Sequence, residues 1–212
     1  MLSKDLSTAF PLSSGRLHEV QGPAAPSLAA IAIARSGGKA LWIQESWNRA
    51  LIHPAGLALF LDPADQLLAR TASQAESLAV GEEALRSGTV GFVVIELVQP
   101  IGLREGRRLQ LAARTGFETG LRSGPSSGIN PVQPTCICLI PEGAGSNVAE
   151  TRWQAEPVFD PVNRDSTLMR WEIIKNKKGT FGTWHVQWIR ETRCLHVVSP
   201  VGERPGVAGA PD

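Results

Sequence analysis

Val90-Gly91-Phe92-Val93-Val94-Ile95 is the stretch that most narrows what this chain can fold into. A near-continuous apolar run has no polar face to turn to water. It fits a parallel strand covered on both faces, which means helices above and below it. Helical patterns stand on either side of it, Gln74 to Ser87 before and Leu103 to Thr115 after. Strands alternating with helices imply an α/β fold with a mostly parallel, doubly wound sheet.

The rest of the chain extends this pattern. Leu17 to Val20 reads as a first strand. Pro26 suits the first turn of a helix, which Leu28, Ile31 and Ile33 carry to about Arg35. Ala40 to Ile43 is a second strand, Pro54 opens a short helix with Leu57, Phe60 and Leu61, and Gln66 to Arg70 is a third strand. Ser73-Gln74-Ala75-Glu76 is a capping box, and Gly88 closes the helix it starts. Gly116 reads as the cap of the Leu103 helix, followed by a long Gly/Ser/Pro-rich loop over 117–134. Thr135 to Ile140 is a fifth strand. After Pro141 the pattern changes. Trp153 to Phe159 reads as strand, and Trp171, Ile173 and Lys175 alternate with more polar neighbours, as do Trp184, Val186 and Trp188. Lys178-Gly179 between the last two makes a β-hairpin, added antiparallel to the sheet.

The expected organisation is therefore an irregular segment over 1–14, one domain over 15–190 and a disordered tail over 191–212. The domain is parallel to about 145, with antiparallel strands and the hairpin over 150–190. A chain of 212 residues fits this count. Its net charge of +1 gives no general attraction to nucleic acid. Three cysteines and no secretory signal point to a reducing cytoplasm. No apolar run is long enough to span a membrane.

The strand, turn and helix from Gly15 onward are where a nucleotide-binding α/β protein keeps its phosphate loop. Such a loop needs G-x-x-x-x-G-K-[ST]: glycines that let N–H groups face phosphate, a lysine for charge, a hydroxyl for Mg²⁺. Here the loop is Gly22, Pro23, Ala24, Ala25, Pro26 and Ser27. The frame is present and the chemistry is gone, so no cofactor is expected. Gly37-Gly38-Lys39 is a decoy. Ala40 stands where Ser or Thr is required, and Gly37 suits a helix C-terminal cap. Cys136 and Cys138 point to one face of a strand. They are either small core residues or part of a metal set with Cys194, His185 and His196; the expectation is no metal.

Taken in order, the parts resemble RecA recombinases. Gly15 to Pro23 is similar to the entry of their phosphate loop, Ser87 to Glu96 to their Walker B strand, and Trp171 to Lys177 to a late strand ending in Lys-Asn-Lys. More closely, the chain resembles the ImuA family, the RecA-like (SulA-like) proteins of bacterial mutagenesis cassettes. Leu17-His18-Glu19-Val20, Glu82 to Gly88, Arg107 to Ala113, and Thr151-Arg152-Trp153 with Arg170-Trp171 carry that likeness. The chain departs in lacking an N-terminal helical extension and in a longer 117–134 segment.

The resemblance implies a non-catalytic accessory role in SOS-induced translesion synthesis, with ImuB, RecA and an error-prone polymerase as partners. It puts Glu96 at the Walker B position, where it either holds a Mg²⁺ shell or is a strand-end carboxylate without a metal. Glu45, or Ser46 with a one-residue slip, falls near the catalytic glutamate. Arg104, Arg107 and Arg108, with Arg114, follow the Walker B-like strand. They are either DNA contacts or a solvated helix face. Lys175, Asn176 and Lys177 are either a contact to a RecA neighbour's γ-phosphate or a solubilised turn. Two other classes stay open: a SulA-type division inhibitor that binds FtsZ, and an ATPase with an unorthodox phosphate loop.

Overall fold

The computed structural model describes residues 5–48, 52–122, 133–161, 163 and 166–200. Its strands are β1 (Leu17–Gln21), β2 (Ala40–Glu45), β3 (Gln66–Thr71), β4 (Phe92–Glu96), β5 (Thr135–Leu139), β6 (Thr151–Pro157), β7 (Leu168–Asn176), β8 (Thr183–Ile189) and β9 (Cys194–Pro200). Its helices are α1 (Ala25–Ser36), α2 (Pro54–Leu57), α3 (Gln74–Ser87) and α4 (Leu103–Arg122). All the strands join one sheet in the order β3-β2-β4-β5-β1-β6-β7-β8-β9. Every pairing from β3 to β6 is parallel, and those from β6 to β9 are antiparallel.

The two-sided burial expected of the Val90–Ile95 run is observed. Along β4, Phe92 and Val94 face the cluster built on α1, while Val93 and Ile95 face the cluster built on α3 and α4. The α1 side also holds the tryptophans of β6, β7 and β8. Cys136 and Cys138 lie fully buried on the α3/α4 side. The Cys138 thiol is pushed well up by its hydrogen bond with Cys136 and by burial, which keeps it a protonated core group.

Four expectations are corrected. First, α4 runs through Gly116 to Arg122, so Gly116 is not a cap. A methyl group there would collide with the Leu85 carbonyl oxygen and sit 2.9 Å from Pro134 Cγ. This glycine lets α4 and α3 touch backbone to backbone. The helix continues beyond it because Glu118 pairs with Arg114 one turn back and Phe117 packs against Gly15. Second, residues 117–122 of the loop expected over 117–134 are helix, and residues 123–132 lie outside the described residues.

Third, the segment over 5–14 contributes to the core. Leu6, Phe10 and Leu12 are buried, and the Phe10 ring lies 5.2 Å from Trp171 and 6.3 Å from Trp153. Fourth, the tail expected from 191 contains β9, which covers β8 through Leu195 opposite Trp188 and Val197 opposite Val186. Its β-branched residues outweigh the Pro/Gly-rich stretch after it, which lies outside the described residues. Gly37 is the expected C-cap. Its φ is 62°, and its N–H donates to Ala34 and Ile33 oxygens.

Candidate functional site

In a parallel sheet, ligands bind beyond the C-terminal ends of the strands. There Gly22, Pro23 and Ala24 join β1 to α1, whose first turn begins with Ala25, Pro26 and Ser27. Gly22 has φ +92°, and a Cβ on it would lie 2.5 Å from the Ala155 carbonyl oxygen of β6. The loop is pressed against the neighbouring strand, and only glycine fits. The Ala24 N–H donates to that same Ala155 oxygen at 3.0 Å, and the Ala25 N–H to Gly22 O at 3.0 Å. Pro23 and Pro26 have no N–H. Between residues 23 and 26 no backbone donor is left for an anion. The start of α1 also lacks a side-chain cap, because Ala24 occupies that position.

What this segment presents is mostly apolar, with Ser27 as its one polar side chain. It borders a groove of about 940 Å³ whose other walls include Leu57, Phe60, Leu97, Ile140 and Met169. Glu96 stands at the rim of this groove, at the end of β4. Gln44 Nε2 donates to Glu96 Oε2 at 2.7 Å, and Asn48 Nδ2 donates to Oε1 at 2.8 Å. Arg70 completes the cluster by donating to Gln44 Oε1 and to the Ser46 and Asn48 carbonyls. Burial raises the Glu96 carboxyl above its usual range, against the pull of the two amide bonds. Glu45 is buried, and its Oε2 accepts from the Trp47 indole at 2.8 Å. Ser46 donates its N–H to the Thr71 oxygen.

The Lys-Asn-Lys segment lies at the other end of the sheet. Asn176 pairs with Thr151, which starts β6 beside His18 near the start of β1. Lys175 Nζ donates to the carbonyls of Ser146, Asn147 and Ala149 at 3.0, 2.8 and 2.8 Å. An ammonium has three donors, and all are committed within the chain. Lys177 Nζ donates to Val148 O at 2.6 Å, and Asn176 ties the turn through Thr180 O and Lys178 N. Here the two lysines clamp the 146–149 segment. At Lys175 an outside phosphate would have to displace those carbonyls. Arg104, Arg107 and Arg108 are exposed on the first turns of α4, where Arg108 pairs with Glu82 at 2.6 Å.

Sequence reasoning missed a buried polar network centred on β1. Glu19 is fully buried; Arg152 Nε donates to its Oε2 at 2.8 Å, and the Ser146 N–H to its Oε1 at 2.8 Å. On the opposite face of the same strand, His18 Nε2 meets Ser13 O at 2.9 Å and Nδ1 meets Thr151 Oγ1 at 2.7 Å. Ser13 O can only accept, so Nε2 carries the proton. Thr151 accepts from Trp153 Nε1 at 2.8 Å, leaving its own hydroxyl proton for His18 Nδ1. The signal was in the sequence: a His-Glu pair inside a buried strand demands partners, and Thr151-Arg152-Trp153 supplies them five strands later in the chain.

This network carries a pH prediction. Burial lowers His18 from the usual 6.5 to about 4. The unfolded chain therefore takes up the proton first as pH falls. Stability is fully present above about 6.5 and is lost progressively down to about 4, by about 3 kcal/mol in total. Urea midpoints at about pH 7 and about pH 4.5 test it. His18→Gln should show a smaller acid loss than the wild type. Identical losses in both would exclude the assignment.

The sheet order, the β1–loop–α1 unit and the appended antiparallel strands can now be compared with known proteins. No protein-family model matches the chain, and no curated protein matches it in sequence. Among solved structures, the chain is similar to the RadB recombinase, with a TM-score of 0.61 at 15% identity. The alignment covers 94% of this chain and 100% of that one. The fold is RecA-like. Within that fold Gly22 follows β1 and leads into α1, and Glu96 ends the strand that packs beside β2 and β5. No helix among the described residues is long and apolar enough to cross a membrane.

Proposed function

We propose that this chain is a non-catalytic RecA-like accessory protein of SOS-induced translesion DNA synthesis, linking ImuB and an error-prone polymerase to RecA in the bacterial cytoplasm. One observation carries the non-catalytic part: residues 23–26 offer no backbone N–H to a phosphate, and the loop opens on an apolar groove. A strand–loop–helix frame that serves nucleotides elsewhere by its donors presents methyl groups and proline rings instead. Such a surface favours protein contact over phosphate. The RecA-like fold and the ordered likeness to the ImuA family support the choice of partners.

Two measurements test this. Calorimetry with ATP and Mg²⁺ should give no binding heat. A low-micromolar dissociation constant, about −8 kcal/mol, would overturn the non-catalytic reading. Pull-downs with purified ImuB and purified RecA should each retain the chain. Failure to bind either would remove the linking role and leave the loop's chemistry untouched.

A further inference from the structure

We infer that the outward face of α4 is a docking surface for an acidic amphipathic helix of a partner protein. α4 buries Leu109, Ala112 and Ala113 against the sheet and α3. Its other side holds two large apolar side chains in water, Leu103 at 51% and Leu111 at 65% exposure. They lie about 12 Å apart along the axis, just over two helical turns. Arg104 and Arg107 stand between them, and with Arg108 the five side chains line a shallow groove of about 390 Å³.

Charge on this face is unevenly compensated. Arg108 pairs with Glu82 at 2.6 Å and Arg114 with Glu118 at 2.9 Å. Arg104 and Arg107 make no ion pair or hydrogen bond among the described residues. Two uncompensated guanidinium forks, bracketed by two exposed leucines, match a helix that carries carboxylates one turn apart with aliphatic residues outside them. The leucines bury apolar surface, and the arginines set register by charge-assisted bonds. Nucleic acid is a poorer fit. The groove has no aromatic ring for a base to stack on. Two free arginines are also few beside the several phosphate contacts a DNA-binding surface makes. This inference does not depend on how the loop at 22–27 is read.

The test uses the full chain and a phage-displayed library of random peptides long enough for four helical turns. Enriched sequences should combine Glu or Asp with Leu or Ile at helical spacing. The best of them, made with a fluorescein label, is titrated by anisotropy against wild type, Arg104→Glu/Arg107→Glu and Leu103→Ser/Leu111→Ser. All four positions are exposed, and thermal melts check that each variant folds. Affinity should fall at least about tenfold for the arginine pair and about fivefold or more for the leucine pair. A labelled single-stranded oligonucleotide is titrated in parallel. Enrichment of non-acidic peptides, or peptide binding that survives both double variants, overturns the inference. So does oligonucleotide binding that needs the arginines and ignores the leucines.

Discussion

Val94→Asp is expected to abolish folding. Val94 is 1% exposed and lies in β4 between Trp42 of β2 and Ile137 of β5. An aspartate there would leave a carboxylate in apolar surroundings, facing the α1 side of the core. A buried charge without a partner costs several kcal/mol, a large fraction of the total stability of a domain. The chain should go to the insoluble fraction or show no cooperative melt by circular dichroism. A soluble variant with the wild-type melting temperature would place β4 elsewhere.

Arg152→Ala is the second large effect. Glu19 is fully buried, and Arg152 is its ion-pair partner among the described residues. Removing one member of a buried pair costs about 3–5 kcal/mol, because the other charge is left uncompensated. Replacing both is far milder. In Glu19→Gln/Arg152→Leu the glutamine oxygen can still accept the Ser146 N–H, and no charge is buried. Urea denaturation should show the single variant shifted strongly and the double variant recovering much of the loss. Equal stability of wild type and Arg152→Ala would mean that the Glu19–Arg152 pair is not formed in the core. Lys175 touches the same segment, and burial and the Arg152 charge both lower its pKa.

The backbone of the fold was legible from local pattern. The β4 run, the Ser73 capping box, the Gly37 and Gly88 caps and the alternating tryptophans of β7 and β8 each depend on neighbours within a few residues. The errors came from long-range contacts. Gly116 looks like a helix stop, until the Leu85 carbonyl placed against it shows that the glycine is needed for α3 and α4 to touch. Leu6 and Phe10 look like a polar leader's stray apolar residues until Trp153 and Trp171 are placed beside them. That the segment after β1 lacks the lysine and hydroxyl of a phosphate loop was legible in the sequence. That the Ala24 and Ala25 N–H groups are turned toward Ala155 and Gly22 was not, since β6 arrives about 130 residues later. The Lys-Asn-Lys turn shows the converse. Its residue types suggested outside anions, and the structure gives both ammoniums carbonyls of the 146–149 segment.

Gly22 bears on how ancestry is read from loops of this kind. The residues that serve a nucleotide and the residue that fits the scaffold answer to different constraints. Lysine and hydroxyl can drift once no phosphate needs them. The glycine cannot, because the Ala155 oxygen would meet any side chain at 2.5 Å whether or not a ligand is bound. Its presence alone records how two strands meet and is silent about what the protein binds.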